Sequence, residues 1–125
     1  MQRPTVLVAE PEPQQALSVR KLVLETAKFN VLTAHSTREA LDIFHTFPNI
    51  SAAVLSAVNG INAEKIGKTI KTAAGGKIPV VILSPRVGAK SAVADRVISS
   101  HEPEALLALM RSLLGDPREM ENNEK

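Results

Sequence analysis

The chain has no cysteine, no tryptophan and no tyrosine, and only three phenylalanines among its 125 residues. Each absence removes a class of chemistry. Without thiols there are no disulfides, no thiolate zinc sites and no cysteine nucleophile. Without Trp or Tyr there is no aromatic platform on which unpaired bases could stack. No apolar run approaches the roughly 20 residues that a membrane helix needs. The opening MQRPTVLVAEPEP breaks at prolines too early for the apolar region of a secretory signal. The expectation is a cytoplasmic protein with no membrane partner. An excess of positive charge is lacking too: 15 Lys and Arg stand against 13 Asp and Glu, leaving +2. Along the sequence these cations are scattered among acids, so charge gives no reason to expect a nucleic-acid partner.

What is present suffices for one domain held by packing alone, with 44% hydrophobic residues. Thr5 to Ala9 is a β-branched apolar run closed by Glu10 and Pro11, which reads as a strand buried on both faces. From Pro13 to about Ala27, Ala16, Val19 and Val23 recur at helical spacing. Val31 to Ala34 predicts a second strand. Ser36 and Glu39 then form a capping box that opens a helix with an apolar run of Ala40, Leu41, Phe44 and Phe47, ended by Pro48. Ala52 to Leu55 predicts a third strand, and Asn59, Gly60 and Asn62 a turn. Asn62 caps a helix carrying Ile66, Ile70 and Ala73, which Gly75 and Gly76 terminate.

Ile78 to Leu83 is the strongest strand signal and is expected to be central. Residues 86 to 96 are weakly patterned, with room for two helical turns around Ala89 to Ala94, before a short strand at Val97 and Ile98. Pro103 suits a first helical position, and Leu106, Leu107, Met110, Leu113 and Leu114 form a stripe that stops at Gly115 and Pro117. These signals place one domain over residues 1–117 and a polar, disordered tail over residues 118–125.

Strands alternating with helices imply a doubly wound, parallel five-stranded sheet in a three-layer α/β/α arrangement, with ligands expected outside the carboxyl ends of the strands. At those ends the chain resembles the receiver domain of bacterial two-component response regulators, from Thr5 to Leu114. The resemblance rests on VLVAEPEP, SAAVLSAVNG, VVILS and HEPEALLALMRSLL in that order. It implies a CheY-like, flavodoxin-like (βα)5 fold, with a shortened fourth helix, because Ser84 to Ser99 is about two helical turns shorter than the family pattern.

The resemblance also implies a phosphorylation pocket, and the chain departs from it. The acidic pair that helps to hold Mg²⁺ in the family falls on Glu10 and Pro11. The phosphoacceptor aspartate falls on Ser56. The hydroxyl residue is kept as Ser84, while the family lysine falls on Ser99 or Ser100. The aromatic switch residue falls on Arg96 or Val97. Aspartyl phosphorylation needs a carboxylate nucleophile, a hard cation held by oxygens, and positive charge on the phosphoryl group. All three requirements are damaged, so a pseudo-receiver is expected: not an enzyme, with no cofactor and no metal, acting on a protein partner or as a homodimer.

Other features have plainer readings. Ser56 lacks the G-x-S-x-G surroundings of a hydrolase nucleophile, and Glu10, a solitary carboxylate beside proline, is expected to face solvent or to cap the next helix. His35, His45 and His101 sit in different elements, so they read as surface residues and not as a metal cluster or a triad. Gly75 and Gly76 end a helix instead of opening one, unlike a phosphate loop. On the last helix Ala105, Ala108, Leu109 and Ser112 lie off the apolar stripe and make a candidate interaction surface. The competing functions are a flavodoxin-like domain that binds a nucleotide, flavin or other small ligand, a small hydrolase using Ser56, and weak association with DNA.

Overall fold

A computed structural model of the chain describes residues 4–11, 24–58, 60–84, 91–99 and 103–115. The elements are β1 (Thr5–Ala9), β2 (Asn30–Ala34), α1 (Thr37–Thr46), β3 (Ala52–Ser56), α2 (Ala63–Ala74), β4 (Val80–Ser84), β5 (Arg96–Ser99) and α3 (Pro103–Leu114). Residues 24–26 are helical as well and precede β2. The rest of the helix expected from Pro13, the turn residue Asn59 and the tail at residues 118–125 lie outside the described residues.

The five strands form one sheet in the order β2-β1-β3-β4-β5, and every pairing is parallel. Side chains alternate between the faces of each strand. Leu7, Ala9, Ala53, Leu55, Val80 and Ile82 pack with Ala40 and Phe44 of α1 and with Ile66 and Ile70 of α2. Val6, Val8, Val54, Val81 and Leu83 pack on the other face with Leu24, Phe29, and Leu106 and Met110 of α3. The result is the three-layer CheY-like, flavodoxin-like architecture expected from the sequence.

The helix ends follow local chemistry. The Ser36 hydroxyl accepts the Glu39 N–H at 3.1 Å, and a Glu39 carboxylate oxygen accepts the His35 N–H at 3.3 Å. Asn62 Oδ1 accepts the Lys65 N–H at 3.1 Å. Gly75 closes α2 in the left-handed region at φ 63°, where a side chain would be strained.

Four expectations need correcting. Phe47 is not on the apolar stripe of its helix: it ends α1 and is 53% exposed, because the residue before Pro48 is driven out of the helical region. Ala73 is likewise exposed on α2. The strand expected from Ile78 begins at Val80, since Pro79 has no N–H to give a ladder and offers only its carbonyl, which accepts from Ala53 at 3.0 Å. That strand is interior, but the middle of the sheet is β3. Lastly, Ser91 to Asp95 is not helical, and the remainder of the Ala89 to Ala94 turn lies outside the described residues. The Ser91 hydroxyl accepts the Val93 and Ala94 N–H groups, as a helix cap would. Asp95 then turns the chain into the sheet by donating its N–H to the Val80 carbonyl at 2.8 Å.

Candidate functional site

The sequence-predicted residues gather where the parallel strands end. β1 and β3 are paired up to Ala9 and Leu55, so the next residues along the two strands are Glu10 and Ser56. Ser56 pairs with Leu83 on its other side, and Ser84 is paired with Ser99 at the end of β5. Sheet order therefore sets Glu10, Ser56, Ser84 and Ser99 in a row along one edge of the molecule. The side chain of Ser99, and all of Ser100, lie outside the described residues.

Burial separates these positions. Glu10 does not face solvent as expected: Glu10, Ser56 and Ser84 are 3%, 4% and 5% exposed, whereas Pro11 is exposed. The Glu10 N–H donates to the Ala34 carbonyl at 2.9 Å, which ties the end of β1 to β2. His35 Nδ1 lies 3.2 Å from the Glu10 carbonyl. Residue-type reasoning set His35 aside as a surface residue, and only the β1–β2 register brings it to this edge. Ser56 Oγ has no hydrogen-bond partner among the described residues. A base in contact with it, which a hydrolase would need, is absent from that set.

The alternation of the strands also divides the row. Glu10 and Ser56 continue the line of Val8 and Val54, while Ser84 continues that of Ile82. On the Ser84 side a cleft of about 630 Å³ opens between β4, β5 and the start of α2. Ile82, Ser84 and Val97 line it from the sheet, Ala57, Ile61 and Asn62 from the β3–α2 connection, and Ser91 from the β4–β5 connection. Thr37 at the start of α1 holds that loop: its hydroxyl accepts the Asn62 N–H at 2.8 Å and donates to the Gly60 carbonyl at 3.4 Å. Glu10 and Ser56 are not among the residues that line this cleft.

A receiver-type site would hold a hard divalent cation on several oxygens. The described residues do not fit one. Glu10 supplies one carboxylate, Pro11 none, and Ser56 a neutral hydroxyl. No group of three or more His, Asp or Glu is assembled to hold a metal among the described residues.

On α3, Ala105, Ala108 and Ser112 are exposed, as the interaction surface requires. Leu109 is not the free apolar knob expected there. It is half-buried and packs against the core formed by Leu106 and Met110. A second correction concerns charge. Four lysines scattered in the sequence are collected by the fold on α2 and just after it, where Lys65, Lys68 and Lys77 are exposed and Lys71 pairs with Asp95. No helix among the described residues is long and apolar enough to cross a membrane.

No family model matches the chain, and no curated protein matches its sequence. Solved structures do. The chain is similar to a response regulator receiver domain protein of Clostridium thermocellum, with a TM-score of 0.73 at 21% identity over 94% of this chain and 98% of that one. The fold is that of a receiver domain. The same fold is shared with the response regulator TrrA of Thermotoga maritima, solved in complex with Mg²⁺ and BeF, at a TM-score of 0.72 and 22% identity over 89% and 99% of the two chains. It is shared too with an atypical orphan response regulator described as having a phosphorylation-independent regulatory mechanism, at 0.71 and 19% over 88% and 94%.

Proposed function

We propose that this chain is a pseudo-receiver, a signalling module that works without aspartyl phosphorylation by binding a protein partner or a second copy of itself. One observation carries the reading. Ser56 is the last residue of β3, the position that holds the phosphoacceptor in the receiver family, and it is a buried hydroxyl with no base bonded to it among the described residues. Around it Pro11 replaces a metal-binding acid, and Ser99 or Ser100 stands where the family has its lysine. The scaffold is kept while the pocket has lost its nucleophile, its metal oxygens and its cation. The structural likeness to an orphan regulator described as phosphorylation-independent supports the same reading. Contact would be made through the exposed face of α3 at Ala105, Ala108 and Ser112 and the neighbouring β5.

Incubation with acetyl phosphate and Mg²⁺ followed by intact-mass measurement tests this. The mass stays that of the unmodified chain, and a stoichiometric phosphoryl adduct would refute the reading. A second reading, a small-ligand domain, draws on the cleft beside Ser84. A thermal-shift screen with nucleotides and flavin separates the two, since a bound ligand raises the melting temperature.

A further inference from the structure

The face built by α2 and the residues just after it carries as much positive charge as the whole chain. Lys65, Lys68 and Lys71 follow one another at three-residue steps along α2, so each is a neighbour of the next. Lys71 reaches the Asp95 carboxylate, and its Nζ lies 3.5 Å from the carbonyl of Gly76, which precedes Lys77. These four cations stand with two acids, Glu64 and Asp95. That surplus of two equals the chain's net +2, so the charges of all other residues balance.

The inner side of α2 is fully used, with Ile66, Gly67 and Ile70 buried. Its outer side is not. Lys65, Lys68 and Lys77 have neither an ion pair nor a side-chain hydrogen bond among the described residues. A lysine in the last turn complements the helix dipole, which accounts for Lys71. It does not account for Lys65, which stands in the first turn, where positive charge is disfavoured.

We propose that this face docks an acidic protein surface, by charge complementarity with carboxylates spaced along a helix or an extended segment. A protein fits better than a nucleic acid for three reasons. All four cations are lysines, point charges without the fork that grips phosphate or base edges. The chain lacks the aromatic residues on which bases stack. Four cations are also fewer than the phosphate contacts through which duplex binding gains its strength. This docking face does not depend on whether the chain is phosphorylated, and it lies on a different element from the α3 surface.

The test is a titration of the ¹⁵N-labelled full chain, followed by amide shifts, with a repeating Glu-Ala-Ala-Glu peptide and with a random-sequence DNA duplex of equal charge. The peptide should move the amides of residues 65–77, leave those of α3 unmoved, and bind more weakly as salt rises from about 20 to about 150 mM. Lys65→Glu, Lys68→Glu and Lys77→Glu together should weaken peptide binding at least tenfold. The Arg versions of the same three positions should retain it. All three side chains are exposed, so circular dichroism should show the fold unchanged; if the triple variant is unfolded, Lys68→Glu alone is read instead and should lower affinity severalfold. Shifts confined to other faces, or none, would overturn the proposal. Tighter binding of the duplex than of the peptide would overturn it in favour of a nucleic-acid surface.

Discussion

Asp95 is tied to Val80 in both directions: its carboxylate Oδ2 accepts the Val80 N–H at 2.7 Å, and its backbone N–H donates to the Val80 carbonyl at 2.8 Å. The same carboxylate pairs with Lys71, so one residue joins the end of α2, the start of β4 and the start of β5. The order of the last two strands beside Ser84 and Ser99 rests on this junction.

Asp95→Ala should therefore destabilise the chain by about 1–3 kcal/mol, mainly because the buried Val80 N–H loses its acceptor. Asp95→Asn keeps an acceptor oxygen and should cost less than about 1 kcal/mol, since the Asp95 side chain is 41% exposed and its ion pair is screened. Burial works to raise the Asp95 pKa, but the Lys71 and Val80 hydrogen bonds outweigh it and hold the carboxyl below its ordinary 3.8. A depressed pKa contributes stability that is present above that value and is lost as pH falls below it. Denaturation of wild type and Asp95→Asn should then show a constant gap near neutrality that narrows in acid. A gap that widens on acidification would contradict the pairing.

Gly67 lies on the buried side of α2, where an added Cβ would stand 3.0 Å from Val93 Cγ2 and 3.3 Å from Val80 Cγ1. Alanine would gain up to about 1 kcal/mol of helix propensity. Crowding against a stiff valine costs about 1–3 kcal/mol. The net expectation for Gly67→Ala is a loss of about 1 kcal/mol, with coupling to Val93→Ala in a double-mutant cycle. Additive effects of the two changes would show that the β4–β5 connection does not pack on α2 at this point.

Ser56→Ala removes a buried hydroxyl that has no partner among the described residues. The change should be neutral or stabilising, by up to about 1–2 kcal/mol in urea denaturation, because an unsatisfied polar group no longer has to be desolvated. A loss of stability would mean that the hydroxyl is bonded in solution.

Ala108 is exposed at the middle of α3, whereas Leu109 is half-buried, so a charge at position 108 probes the surface without disturbing the core. Ala108→Glu should leave the melting temperature within about 2 °C, as surface changes do. It should also abolish self-association in sedimentation, or capture of the purified partner. Binding that survives the change would move the interface away from α3.

The parts of this structure that were legible in the sequence are those set by neighbours in the chain. Ser36 and Glu39 announce the start of α1, Asn62 that of α2, and Gly75 its end, each through a contact spanning a few residues. Strand positions followed from apolar runs, and the row of strand ends followed from the parallel order. What was hidden depends on pairs far apart in sequence. The Asp95–Lys71 junction and the Val93–Gly67 contact together draw Ser91 to Asp95 against α2 and the sheet, and this competes with the helix suggested by local propensity. Lys65, Lys68 and Lys77 read as scattered because charge balance along a chain takes no account of which face a helix buries. Within the site, Ser56 and Ser84 were legible as strand ends. His35 was not, since only the β1–β2 register sets it beside Glu10.

The most direct test of the central claim is a beryllofluoride titration of the ¹⁵N-labelled chain in the presence of Mg²⁺. Beryllofluoride mimics a phosphoryl group only where a carboxylate and a bound cation receive it. The account predicts that the amides of Glu10, Ser56, Ala57, Ser84 and Ser99 stay where they are. Saturable shifts at those residues, dependent on Mg²⁺, would contradict it.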